Sequence, residues 1–81
     1  MDTDEAIEKF VTTFRKELKY LGRDFFEWHH YLTGSCEMGR NSFVRDKGLD
    51  LDDTYTVKEF IAICEDAYGG EIIKLVKEYY P

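Results

Sequence analysis

The chain has 81 residues, of which 43% are hydrophobic and 16% aromatic, and its formal net charge at pH 7 is −6. This length leaves room for one hydrophobic core, so we expect a single domain over residues 1–81, and the aromatic content argues against disorder. The negative charge weighs against nucleic-acid binding, because it repels phosphate backbones. Most of that charge lies in residues 49–81, which could face a basic protein surface or simply aid solubility.

The amino terminus lacks the apolar region of a signal peptide, since Asp2, Asp4 and Glu5 stand in its place. No apolar run approaches the roughly 20 residues that span a bilayer. We therefore expect a cytoplasmic protein that makes no membrane contact. In that reducing compartment Cys36 and Cys64 should be free thiols, because two cysteines are too few to suggest a disulfide scaffold.

The first segment predicts a helix over residues 3–21. Asp2 or Thr3 can cap its start, and Gly22 is a natural residue to end it. Its apolar residues recur at spacings of three and four, which places them on one helical face. They are Ile7, Phe10, Val11, Phe14, Leu18 and Leu21.

The second predicted helix, over residues 24–33, is short and aromatic. Phe25, Trp28 and Leu32 are spaced for one helical face, which favours a helix over the alternation of a strand. A strand is the alternative, because aromatic residues also favour sheets. Gly34 is the expected end of this helix.

The third predicted helix, over residues 35–47, has Ser35 as its cap and Gly48 as its end. Gly39 in its interior costs about 1 kcal/mol against alanine. Close packing against another helix is the favoured explanation of this glycine, and backbone access for a ligand is the alternative. Three apolar residues of this helix should face the core: Met38, Phe43 and Val44.

Two further helices complete the prediction. One begins at a capping box formed by Thr56 and Glu59 and ends before Gly69 and Gly70. The expected architecture is therefore all-α, a small single-domain bundle of four to five short helices. The inner residues of the last two helices are predicted to be Val57, Phe60, Ile61, Cys64, Ala67 and Tyr68, then Ile72, Ile73, Val76, Tyr79 and Tyr80.

The stretch from Trp28 to Arg40 concentrates the residue types that carry chemistry. Cys36 would lie in the first turn of a helix, where the helix dipole favours a thiolate, and His29 or His30 could serve as its base. The catalytic set is incomplete, however, and a small buried thiol is the commoner role of cysteine. An enzyme is thus the least favoured class, and we assign no catalytic residue.

Two metal sites can be considered from the sequence, and neither is complete. The twelve residues 48–59 resemble an EF-hand calcium loop in its second half, but Gly48 and Asp53 replace the acid and the glycine that the motif requires at positions 1 and 6. For zinc, adjacent histidines on a helix point about 100° apart, so they rarely bind one ion. We expect no metal site and no cofactor. The zinc-type residues considered are His29, His30, Cys36 and Cys64.

A polar surface beside the central stretch is the predicted binding site. This part of the chain is the least acidic, so an anion or an acidic partner could dock there beside free amides at a helix start. A solvated face with internal ion pairs, such as Arg40 with Glu37, is the commoner explanation of such a surface. The candidate binding residues are His29, His30, Arg40 and Asn41.

The favoured function is a non-enzymatic protein-interaction module, an adaptor or inhibitor with a protein partner that the sequence does not identify. The alternative is a regulator that binds a small ligand, an anion or a metal through residues 29–40. A homodimer could also form, because Tyr79 and Tyr80 would be exposed at the end of an apolar helix.

Overall fold

The computed structural model describes all residues, Met1–Pro81, as five helices and a two-stranded sheet. The five helices agree with the predicted bundle, but the sheet corrects the all-α class. None of the helices is long and apolar enough to cross a membrane. In chain order the elements are α1 (Thr3–Thr13), β1 (Lys19–Leu21), α2 (Gly22–Thr33), α3 (Glu37–Lys47), β2 (Thr54–Thr56), α4 (Val57–Cys64) and α5 (Gly70–Lys77).

The predicted helix over residues 3–21 is wrong in its second half, because α1 stops well short of it. The backbone of Phe14 is extended, and its carbonyl accepts a hydrogen bond from the Tyr80 hydroxyl at 2.6 Å. The amide of Arg15 donates to the hydroxyl of Tyr20 at 2.8 Å. These tyrosine hydroxyls satisfy backbone groups that a longer helix would have paired internally.

The last three residues of the predicted helix, Lys19–Leu21, form β1 instead. This strand pairs antiparallel with β2, and Tyr20 lies opposite Tyr55. Gly22, predicted to end the first helix, begins α2 and is buried against this sheet. A Cβ at Gly22 would lie 2.9 Å from the Tyr55 ring, so only glycine allows this approach. Leu18 and Leu21, predicted to face inward, are 48% and 40% exposed.

The core is one cluster of 14 buried residues built around aromatic rings. Phe25 stacks between Phe60 and Phe14, with ring centroids 4.7 Å and 4.8 Å apart. Tyr80 was assigned to the inner face of the last helix, but also to an exposed end that could form a homodimer. It is buried, since its ring packs on the core and its hydroxyl is bonded to Phe14. Of the two terminal tyrosines, only Tyr79 is exposed.

Helix boundaries that depend on local chemistry agree with the sequence prediction. In the capping box the amide of Thr56 donates to Glu59 Oε1 at 2.8 Å, and the amide of Glu59 donates to Thr56 Oγ1 at 3.1 Å. Gly34 and Gly48 take left-handed backbone conformations that end α2 and α3. The left-handed turn at Gly34 leads from α2 into α3, and residues of both helices line the candidate site.

Candidate functional site

A pocket of about 400 Å³ lies between α2, α3 and the turn that joins α4 to α5. Its volume falls within the range of about 300–1,000 Å³ that is typical of small-molecule sites. One wall is largely aromatic, and the polar groups come from the end of α2 and the start of α3. We call it the His29–Arg40 pocket, and it is lined by Phe26, His29, Gly34, Ser35, Cys36, Gly39, Arg40, Phe43, Ala67 and Tyr68.

The structure brings two of the four candidate binding residues together and places the other two elsewhere. His29 and Arg40 line the pocket. His30 is exposed and its Nδ1 lies 2.8 Å from the Ser35 carbonyl, because neighbouring positions on a helix point in different directions. Asn41 is exposed and lies in a separate groove on the outer face of α3.

The imidazole of His29 is held in place by residues that follow it in the chain. His29 is only 6% exposed. Its Nδ1 lies 2.7 Å from Ser35 Oγ and 3.1 Å from Thr33 Oγ1. The Thr33 hydroxyl also donates to the His29 carbonyl at 2.8 Å, which fixes the last turn of α2. Ser35, which was predicted to cap α3, is instead a buried hydrogen-bond partner of this ring.

Arg40 is the one permanent cation of the pocket, and it is half-buried. Its Nη1 donates to the carbonyl of Ser35 and lies 3.3 Å from Ser35 Oγ. An ion pair of Arg40 with Glu37, which a solvated face could have contained, is absent, and the four ion pairs of the structure join other residues. The chain has 17 acidic side chains, yet none neutralises this guanidinium.

Burial is the largest cause that lowers the pKa of His29 from 6.5 to about 4, and the charge of Arg40 lowers it further. The backbone carbonyl of Tyr68 opposes this shift. His29 is therefore neutral at pH 7. The pocket thus holds one cation beside a neutral imidazole.

This shift predicts a specific pH dependence of stability. Above pH 6.5 the His29 ring is neutral in the folded and in the unfolded protein. Between pH 6.5 and about pH 4 the ring is protonated in the unfolded chain but stays neutral in the folded protein. The free energy of unfolding should thus fall as the pH falls through this window, by an amount on the order of 2 kcal/mol for His29. Urea denaturation across this window should show this loss in His30→Gln and a smaller loss in His29→Gln. Equal losses in the two variants would contradict the assignment.

Cys36 differs from its prediction as a buried thiol, because it is exposed and forms the cap of α3. Its Sγ accepts a hydrogen bond from the amide of Gly39 at 3.3 Å. A Cβ at Gly39 would lie 3.3 Å from this sulfur, so the glycine makes room for Cys36 and not for another helix. Met38, predicted to face the core, is 81% exposed.

No group of three or more histidine, cysteine, aspartate or glutamate side chains is arranged to hold a metal ion. The carboxylates of the segment that resembles a calcium loop have other partners. Asp50 accepts from the amide of Asp52 at 2.9 Å, and the Asp52 carboxylate pairs with Arg23. Glu59 is engaged in the cap of α4, and Cys64 is buried in the core.

The apolar wall of the pocket was not predicted from the sequence. Phe26 precedes His29 by three positions, a spacing that places both on one helical face and could have linked them. Tyr68 was assigned to the inner face of its helix, but α4 ends at Cys64 and Tyr68 is 69% exposed. Ala67 and Tyr68 reach the pocket through the turn between α4 and α5, which no local pattern reveals.

A scan against models of protein families gives no match, and searches of curated proteins and of solved structures give none either. The chemistry of the His29–Arg40 pocket therefore follows from its own residues. They supply an aromatic wall, one cation without a counter-ion, a neutral imidazole and an exposed thiol. The amides of Glu37 and Met38 have no acceptor within the structure, but these two residues line the separate groove on the outer face of α3.

Proposed function

We propose that the protein is a regulator that binds a small organic anion with an aromatic or apolar body in the His29–Arg40 pocket. The observation that carries this proposal is the guanidinium of Arg40, which is half-buried and has no carboxylate partner. A charge in a partly desolvated site attracts a counter-ion more strongly than a charge in water. An anionic ligand would supply the counter-ion that the protein does not.

The surroundings of Arg40 favour the same class of ligand. The start of α3 borders the pocket through Cys36 and Gly39, and the helix dipole favours negative charge at this end of the helix. Phe26 and Phe43 offer apolar surface for the body of a ligand. A planar aryl carboxylate combines these two requirements in one small molecule.

Replacing Arg40 by glutamine should weaken the binding of an aryl carboxylate roughly 10- to 100-fold, because one charge-assisted hydrogen bond contributes about 1.5–3 kcal/mol. Naphthoate is a suitable probe, and the matching uncharged amide, naphthamide, should bind more weakly to the wild type. Affinities are measured by titration calorimetry.

Arg45→Gln is the matched control, since Arg45 carries the same charge on the same helix but does not line the pocket. This variant should bind naphthoate like the wild type. Equal affinities of Arg40→Gln and the wild type, or no preference for the acid over the amide, would overturn the proposal.

A protein-interaction module is the second candidate, and one observation favours it. Tyr68 at the rim of the pocket is 69% exposed and Met38 on α3 is 81% exposed, and interfaces are enriched in tyrosine and methionine. In this case the anion would be a carboxylate of the partner.

An exposed free thiol at Cys36 also fits the cytoplasmic location that the sequence predicts, because that compartment keeps thiols reduced.

A further inference from the structure

The pocket contains one reactive group that anion binding does not use, the thiol of Cys36. This side chain is exposed and lines the pocket. Cys64 is only 1% exposed, and burial raises the pKa of its thiol to about 12. A reagent that approaches from solvent can therefore meet only one of the two thiols.

The position of the Cys36 sulfur is fixed by its neighbours. The amide of Gly39 donates to Sγ at 3.3 Å, and the absence of a side chain at Gly39 leaves room for the sulfur. Arg40 follows one position later and lines the same pocket. The thiol and the cation are thus presented together to any molecule that enters.

His29 independently points to a ligand at the same place. The ring is 6% exposed, and its hydrogen bonds to Ser35 and Thr33 are both made at Nδ1. Nε2 makes no hydrogen bond of standard geometry, although the backbone carbonyl of Tyr68 interacts with the ring and raises its pKa. Because every fully buried polar side-chain atom in the structure has a partner, Nε2 must be accessible, and His29 lines the pocket. A polar atom of a bound molecule would complete the hydrogen bonding of this ring.

We propose that Cys36 is a site of reversible mixed-disulfide formation with small disulfides that carry a carboxylate. This inference rests on the proposed function, because Arg40 would bind the carboxylate and hold the disulfide beside the sulfur.

In the reaction Cys36 loses its proton and Sγ attacks one sulfur of the incoming disulfide. The bond between Sγ and that sulfur forms as the original disulfide bond breaks, and the released thiolate takes up a proton. The Cys36 sulfur is oxidised and the leaving thiol is reduced, so the disulfide itself is the only oxidant.

The burial of Cys64 determines what happens to the adduct. A second accessible thiol could displace the bound group and form an internal disulfide, but Cys64 is enclosed in the core. The mixed disulfide therefore remains until an external thiol reverses it. While it remains, the carboxylate of the attached group occupies Arg40 and excludes other anions, so the redox state of Cys36 would control ligand binding.

Three small disulfides that differ in charge test this inference: anionic dithiodipropionate, neutral hydroxyethyl disulfide and cationic cystamine. Rates of adduct formation are measured by mass spectrometry and divided by the rates for a short unstructured cysteine peptide, which removes the intrinsic reactivity of each reagent. The normalised rate should be about tenfold higher for the anionic than for the neutral disulfide. Arg40→Gln should abolish this preference, Arg45→Gln should retain it, and the adduct should map to Cys36 alone.

No preference for the anionic disulfide would overturn the inference, as would equal effects of Arg40→Gln and Arg45→Gln or modification of Cys64 in the folded protein. Titration of Cys36→Ser with naphthoate separates this failure from failure of the proposed function. If Cys36→Ser binds naphthoate but the wild type shows no preference for the anionic disulfide, only the Cys36 inference is wrong. If naphthoate does not bind either, both are wrong.

Discussion

Phe25→Ala should reduce the free energy of unfolding by about 3–5 kcal/mol, because the substitution opens a cavity in a packed aromatic core. The Phe25 ring is fully buried and stacks on Phe60 and Phe14 with centroid distances of 4.7 Å and 4.8 Å. Small domains are typically stable by about 5–15 kcal/mol, so a large part of the total would be lost. Urea denaturation followed by the fluorescence of Trp28 measures the change.

Tyr79→Ala is the matched control, since it also removes an aromatic ring but from a side chain that is 60% exposed. Its effect should stay within about 0.5 kcal/mol. Similar losses for Phe25→Ala and Tyr79→Ala would mean that the core is not centred where the structure places it.

Gly69→Ala should cost about 3 kcal/mol or more, because two separate penalties combine at this position. The φ angle of Gly69 is +76°, a left-handed conformation that costs a residue with a side chain roughly 1–2 kcal/mol. In addition, the new Cβ would lie 2.4 Å and 2.5 Å from the Cγ2 and Cβ of Thr33. The hydroxyl of Thr33 donates to the His29 carbonyl, so its displacement would also disturb the pocket.

Gly48→Ala separates the two penalties. Its φ angle is +67°, but a Cβ at this position would have nothing within 4 Å, so only the conformational cost of roughly 1–2 kcal/mol is expected. Urea denaturation measures the loss of stability in both variants, and the difference between the two losses is the cost of the steric clash with Thr33. If Gly69→Ala destabilised the protein no more than Gly48→Ala, the contact between the α4–α5 turn and the end of α2 would be wrong.

The parts of the fold that the sequence predicts correctly are those that depend on neighbouring residues. The capping box of Thr56 and Glu59 and the left-handed glycines Gly34 and Gly48 act within a few positions, so their signals can be read locally. The end of α1 depends on the hydroxyl of Tyr80, which is far away in the chain. No periodicity in the first segment could reveal that partner.

The candidate site was also predicted only where neighbouring residues define it, and not where it depends on residues far apart in the chain. The concentration of polar residues around His29 and Arg40 is visible in the sequence, and both residues line the pocket. The sequence cannot decide which of the adjacent histidines, His29 or His30, faces inward, although the helical spacing from Phe26 favours His29. The contribution of Tyr68 depends on how α4 and α5 pack against α2, which only the three-dimensional structure shows.

The contrast between Arg40 and the remaining charges links the fold to the proposed function. The four lysine and arginine side chains that form ion pairs are more than half exposed, and such surface pairs contribute little to stability. The remaining lysines and arginines other than Arg40 form no ion pair with a side chain and are exposed as well. Arg40 is half-buried and unpaired beside an apolar pocket. The central claim is therefore that this cation binds an organic anion.

The most direct measurement is a titration of the wild type with naphthoate, followed residue by residue in amide NMR spectra. The account predicts saturable shifts that are largest for the pocket residues Cys36, Gly39 and Arg40 at the start of α3 and for His29 on α2. Naphthamide should produce smaller shifts in the same residues. Shifts scattered over the acidic surface, or none at α3 when naphthoate is in excess, would contradict the claim that the His29–Arg40 pocket binds anions.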